Sequence, residues 1–90
     1  MTGADDRTVR TEVATHIRES FLYARPDYAL VDDARLLDEG ILDSMGAVEL
    51  VTFLQERFGI AIPDDEITEE NLGSVADIAR FVGRKRQAAA

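Results

Sequence analysis

The sequence predicts an all-α fold: a small four-helix bundle, three main helices plus one short helix, with a long first loop. Three observations predict it. Apolar residues recur at helical spacing in three separate stretches. No stretch sustains the period-2 alternation of a half-buried strand. The chain has 90 residues, enough for one small domain and too few for two. The expectation is therefore a single domain over residues 1–90, with a core over about 6–83 and flexible ends at 1–5 and 87–90.

The first helix is expected from about Asp6 to Leu22, because Val9, Val13, Ile17 and Phe21 mark one stripe. Asp5 or Asp6 can cap its start. Pro26 forbids continuation and biases Arg25 away from helix. Residues 23–43 then form a long connection whose apolar residues (Tyr28, Leu30, Val31, Leu36, Leu37, Ile41, Leu42) have no clean period. Those hydrophobics should pin it to the core, and loops of such length are often functional.

The second helix should run from Ser44 to Phe58, with Gly59 as its stop. At roughly 100° per residue, Ala47, Leu50, Val51, Leu54 and Phe58 form its core face. Met45, Glu49, Thr52 and Glu56 cluster on a different face, with Val48 at the boundary, and Phe53 fits neither. A short third helix is expected near Asp65–Asn71. The last starts at Ser74, with Asp77 three residues on as a near capping box. Val75, Ile78, Ala79 and Val82 supply its stripe, with Phe81 beside it.

Composition narrows the function. Ten Lys and Arg stand against 18 Asp and Glu, giving a net charge of −8. Such a chain should repel nucleic acid and acidic membranes, and should favour partners with basic patches. The acids concentrate in residues 23–43 (net −4) and 59–72 (net −5), which flank the second helix. The basic excess lies in residues 73–90 (net +3), where cations suit the end of a helix. There is no cysteine, hence no disulfide, thiol nucleophile or zinc–cysteine cluster. No apolar run approaches the roughly 18 residues that span a bilayer. Residues 1–10 are polar and unlike a secretory signal, so a cytoplasmic, monomeric protein is expected.

Catalytic machinery is not evident, and no catalytic residue is assigned. The single histidine, His16, reads as a surface or boundary residue. There is no Ser/His/Asp set, glycine-rich phosphate loop or GxSxG motif. The acids of 64–70 lack the spacing of a calcium loop, so they read as a solvated acidic face and no metal site is assigned.

The stretch that stands out is Gly40-Ile41-Leu42-Asp43-Ser44-Met45, leading directly into an amphipathic helix. Local chemistry makes Asp43 or Ser44 the N-cap. The wider context adds more. Asp43-Ser44-Met45-Gly46-Ala47-Val48-Glu49-Leu50-Val51 continues through Phe58 to Ile62-Pro63-Asp64-Asp65-Glu66. This resembles the acyl carrier protein family, including its aminoacyl and peptidyl carriers. An Asp-Ser-Leu-type tripeptide opens that family's second helix, and a Val-Glu-Leu-Val run, a terminal Phe and an Ile-Pro-Asp-Glu-like segment follow. The match needs no gap over 43–66, and the helical frame extends it to about 6–83.

The resemblance implies that Ser44 carries a 4′-phosphopantetheine arm through a phosphodiester, with Asp43 and Met45 beside it. A helix N-terminus favours a phosphate. No strong base is offered to the Ser44 hydroxyl, so a phosphopantetheinyl transferase must supply the activation and the coenzyme A donor. Cargo would ride as a thioester on the arm's thiol. Further implied partners are an adenylating, ligating or acyltransferase loading enzyme and downstream synthase or tailoring enzymes. They would meet Met45, Val48, Glu49, Thr52 and Glu56, with Asp43, Glu49 and Glu56 facing basic residues. Met45 is expected to be partly exposed. Leu42, Val48, Ile62 and Ile67 either line the arm's path or belong to the core.

Two residues depart from fatty-acid carriers: Gly46 replaces a usual acid, and Arg57 is basic. The Asp-Ser-Met-Gly form with Phe53 looks more like stand-alone carriers of amino acids or small acids in specialised, polyketide or nonribosomal-peptide-type metabolism. D-alanyl carriers of cell-wall modification are similar in this respect. The competing readings are an unmodified helical interaction module using the same face and, more distantly, an acidic calcium-binding protein.

Overall fold

A computed structural model describes the backbone of residues 2–89 and the side chains of residues 6–87. The helices are α1 (Thr2–Phe21), α2 (Ser44–Phe58), α3 (Glu69–Leu72) and α4 (Val75–Ala89), and a single 3-10 turn spans Asp64–Glu66. No strand occurs among the described residues. The chain is an all-α bundle with one long first loop, as its periodicity predicts. Of the ends expected to be flexible, residues 2–5 belong to α1 and 87–89 to α4, while Met1 and Ala90 lie outside the described residues.

The predicted stripes form the core. Val9, Val13 and Ile17 of α1, Leu50 and Leu54 of α2, and Val75, Ile78 and Val82 of α4 are almost wholly buried. Each fully buried aliphatic side chain of this kind contributes roughly 1.5–3 kcal/mol over leaving it in water. Phe81 is buried with them. Ala47 and Phe58 are only half-buried at the edge of the α2 face. α1 makes its closest backbone approach to α4. Against α2 its backbone stands farther off, and the larger side chains of His16, Phe21 and Phe53 occupy the space.

Three expectations need correction. α1 begins at Thr2, so positions 5 and 6 lie within the helix rather than at its start. Asp6 instead pairs one turn on with Arg10 at 3.0 Å, a spacing that brings the two side chains together on a helix surface. The expected helix over 65–71 is divided. Ile67 and Thr68 leave helical backbone, and the extended Thr68 caps α3 by accepting from the Asn71 N–H at 3.2 Å. A threonine oxygen that satisfies a starting N–H competes with continuous helix at that point. The third concerns the loop: Leu30, Leu36, Ile41 and Leu42 are buried, but Val31 and Leu37 are exposed and pin nothing.

What fixes the loop is mostly backbone. The Leu36 N–H donates to Gly73 O at 2.9 Å, and the Ala76 N–H donates to Asp32 O at 2.8 Å. Ile41 and Leu42 N–H groups both donate to Leu36 O. Arg35 adds an ion pair to Asp77 at 3.1 Å on the first turn of α4. The loop is thereby tied to the α3–α4 corner, and it delivers the chain to the start of α2. At the far end, Gly59 adopts the left-handed conformation (φ 67°) and returns its N–H to Gln55 O at 3.0 Å. The Gln55 side chain then accepts from the Ile62 N–H at 2.8 Å, holding the exit segment against α2.

Candidate functional site

The start of α2 resolves which residue is the cap. Asp43 is extended, and its Oδ1 accepts from the Gly46 N–H at 2.7 Å. Such a cap is worth about 1 kcal/mol. Ser44 is therefore the first residue of the helix and not its cap. It is exposed. The N–H groups of Ser44 and Met45 have no acceptor among the described residues. Unpaired N–H groups and the positive end of the helix dipole together favour an anion at this mouth.

The Ser44 hydroxyl makes no hydrogen bond among the described residues. His16 is the single imidazole, and it is stacked on Phe53 over two turns along α2. Among the described residues no side-chain base is hydrogen-bonded to the Ser44 hydroxyl.

Gly46 is buried, and its size matters. A Cβ there would come within 3.1 Å of Phe21 Cε1 and 3.3 Å of both Asp43 Oδ1 and Leu42 Cδ2. The absence of a side chain lets the first turn of α2 close on α1 while Asp43 keeps its capping bond. A larger residue here would require Phe21, Asp43 and Leu42 to give way by a few tenths of an ångström.

The predicted partner face is continuous. Met45 is 75% exposed and Val48 58% exposed, well above the partial exposure expected for Met45. Glu49, Thr52 and Glu56 are exposed beside them. Of the four residues left between arm path and core, Leu42 and Ile62 are buried, Ile67 is half-buried and Val48 lies on the outer ridge. Among the described residues no group of three metal-ligating side chains converges.

Sequence reasoning missed the junction of α1 with α2. His16 is half-buried and lies flat on Phe53, with ring centroids 3.9 Å apart and planes 7° from parallel. Burial lowers the imidazole pKa from its usual 6.5, and the Glu49 and Glu19 carboxylates offset this only in part. The two rings are far apart in sequence, so no local pattern could pair them. The one available signal was that Phe53 fitted neither face of its helix.

The phosphopantetheine attachment site family matches residues 11–82. The chain belongs to that family. It is a carrier protein and not an enzyme, and the family's cofactor is a covalently attached 4′-phosphopantetheine. An exposed hydroxyl at a helix mouth with unpaired N–H groups fits that group. The carrier is 35% identical over 80 residues to the D-alanyl carrier protein of Streptococcus sanguinis, covering 89% of this chain and 98% of the relative. It is 48% identical over 50 residues to D-alanyl carrier protein 2 of Lactiplantibacillus plantarum (56% and 62% covered). With the acyl carrier protein of Zymomonas mobilis it shares 38% over 61 residues (68% and 74% covered). Carriers of this family work with a phosphopantetheinyl transferase and with loading enzymes. No helix among the described residues is long and apolar enough to cross a membrane.

Proposed function

We propose that Ser44 bears the phosphopantetheine arm, and that the protein is a stand-alone aminoacyl carrier whose cargo is a small amino acid, D-alanine foremost. The observation that carries the attachment is the division of labour at the α2 start: Asp43 caps, and Ser44 follows it as an exposed first residue. Met45, Val48, Glu49, Thr52 and Glu56 form the docking face for the transferase and for an adenylating or ligating loading enzyme. Downstream synthase or tailoring enzymes meet the same face. The coenzyme A donor must reach Ser44, which puts the carrier in the cytoplasm.

The cargo assignment shifts weight between two readings. The Asp-Ser-Met-Gly form favours specialised polyketide or nonribosomal-peptide metabolism, but similarity over nearly full length to D-alanyl carriers supports the aminoacyl alternative more strongly.

Incubation with coenzyme A, magnesium and a broad-specificity phosphopantetheinyl transferase should add one arm by intact mass. Ser44→Ala should abolish the gain. A wild-type chain left unmodified by several such transferases overturns the attachment. The holo-protein, given a D-alanine-activating ligase and ATP, should then gain one alanyl group that neutral hydroxylamine removes. Loading of an acyl starter in its place returns the assignment to specialised metabolism.

A further inference from the structure

The α1–α2 junction holds a groove that the start of α2 does not explain. Its volume is about 350 Å³, and its walls include Ser20 and His16 of α1 and Val48, Thr52 and Phe53 of α2. Phe21 packs at Gly46 before it along α2, and Arg57 of α2 pairs with Glu12 of α1 beyond its other end. Along α2 its lining runs from Val48 to Glu56, eight steps or roughly 12 Å at about 1.5 Å per residue. The His16–Phe53 stack is its wall, and beyond it lies a second hollow of about 260 Å³ reaching Thr11 and Thr15.

The charge at its border is one-sided. Glu49 and Glu56 line the groove, and Glu19 lines the hollow behind the His16–Phe53 stack. None of the three carboxylates has an ion-pair partner among the described residues. No Lys or Arg lines the groove among the described residues, and Arg57, one residue beyond Glu56 on α2, is engaged by Glu12. An apolar slot with unpaired carboxylates at its rim is complementary to a cationic side chain carried on an apolar stem, since the stem can lie on the stack while the charge stays at the wet edge.

We infer that this groove receives a basic, apolar segment of the phosphopantetheinyl transferase, so that the enzyme's footprint extends from α2 onto α1. The inference rests on the assignment of Ser44 as the attachment residue. The transferase is the one partner that the cofactor itself requires, and it must close on the α2 start. An enzyme that buries about 800 Å² on its partner covers a disc of roughly 16 Å radius. Val48 and Thr52 lie four and eight residues from Ser44, or roughly 6–12 Å along the axis, inside that disc.

The test is steady-state transfer to the full chain, followed by mass, with KM and kcat for the carrier measured separately. Glu19→Arg reverses a charge on α1 that borders the adjoining hollow. Ser20→Trp fills the slot from the α1 side and leaves every α2 residue unchanged. Asp33→Arg makes the same charge change on the exposed loop, away from the groove. Glu19→Arg and Ser20→Trp should each raise KM roughly three- to tenfold with kcat within about twofold, because rim groups act mainly on encounter and docking. Asp33→Arg should leave both parameters near wild type. Circular dichroism melts identify any variant that has lost its fold, and the other α1 variant then decides. Wild-type KM in both α1 variants overturns the groove while leaving the attachment intact. An unmodified wild-type chain overturns the attachment and the groove with it.

Discussion

Asp43 and Ser44 are neighbours with separate tasks, and a single hydrogen bond separates them. Because Asp43 already satisfies the Gly46 N–H, Ser44 has no structural duty at the helix start. Its motif was legible in the sequence; which of the two was the cap was not, since both residue types cap well. His16 shows the opposite case. Its stacking on Phe53 follows from packing between two helices, which no spacing within either one encodes. The sign of its pH effect follows from burial. Folding lowers the imidazole pKa below 6.5, so above pH 6.5 the ring is neutral in both states and its contribution is complete. As pH falls below 6.5, the unfolded chain takes up a proton that the folded chain resists, and stability is lost until the folded pKa is passed. His16→Phe removes this term. The melting-temperature difference between wild type and His16→Phe should be constant above pH 6.5 and move in the variant's favour below it. A difference that stays flat into the acid range would mean that the folded ring is not desolvated.

At the scale of elements, legibility followed periodicity. The α2 stripe is read correctly because Leu50, Val51 and Leu54 repeat along one face of a 15-residue helix. The stretch 64–72 was not, because a threonine that caps α3 from within the chain leaves the apolar pattern unchanged. The loop had no period to read at all. Leu36 and Leu37 are chemically identical and adjacent, yet Leu36 is fully buried and Leu37 is 44% exposed. The loop's tie to Gly73 selects between them, and that contact is long-range. Leu36→Ala should therefore cost about 2–5 kcal/mol, whereas Leu37→Ala should fall within about 0.5 kcal/mol of wild type. Urea denaturation of the two variants measures this directly. Equal losses would show that the backbone ties do not set the loop's inward face.

Across the whole molecule, the charge is unevenly absorbed. Much of the basic excess in α4 is used internally. Lys85 pairs with Glu66 at 2.7 Å, Arg84 donates to Asn71 at 3.1 Å, and Arg86 lies over the Phe58 ring. Glu19, Glu49 and Glu56 on the α1–α2 side have no such partners among the described residues. With a net charge of −8, encounters with basic enzymes should be steered electrostatically, and screening shortens that reach to about 8 Å at about 0.15 M salt. The carrier's KM for a basic transferase should rise severalfold from low salt to about 0.3 M, with kcat little changed. A KM indifferent to salt would show that docking is governed by apolar contact alone. The acidic bias itself was readable from composition; that Glu49 and Glu56 border one groove without cationic partners among the described residues required the fold.

The loop is stitched to the α3–α4 corner at only two backbone positions, Asp32 and Leu36. Those knots divide it into a short fixed middle and two outer spans, 22–31 and 37–43. The middle sets where α2 begins, because Leu36 O also gathers in Ile41 and Leu42. Any slack in the connection is thus left to the span before Asp32, away from the start of the second helix.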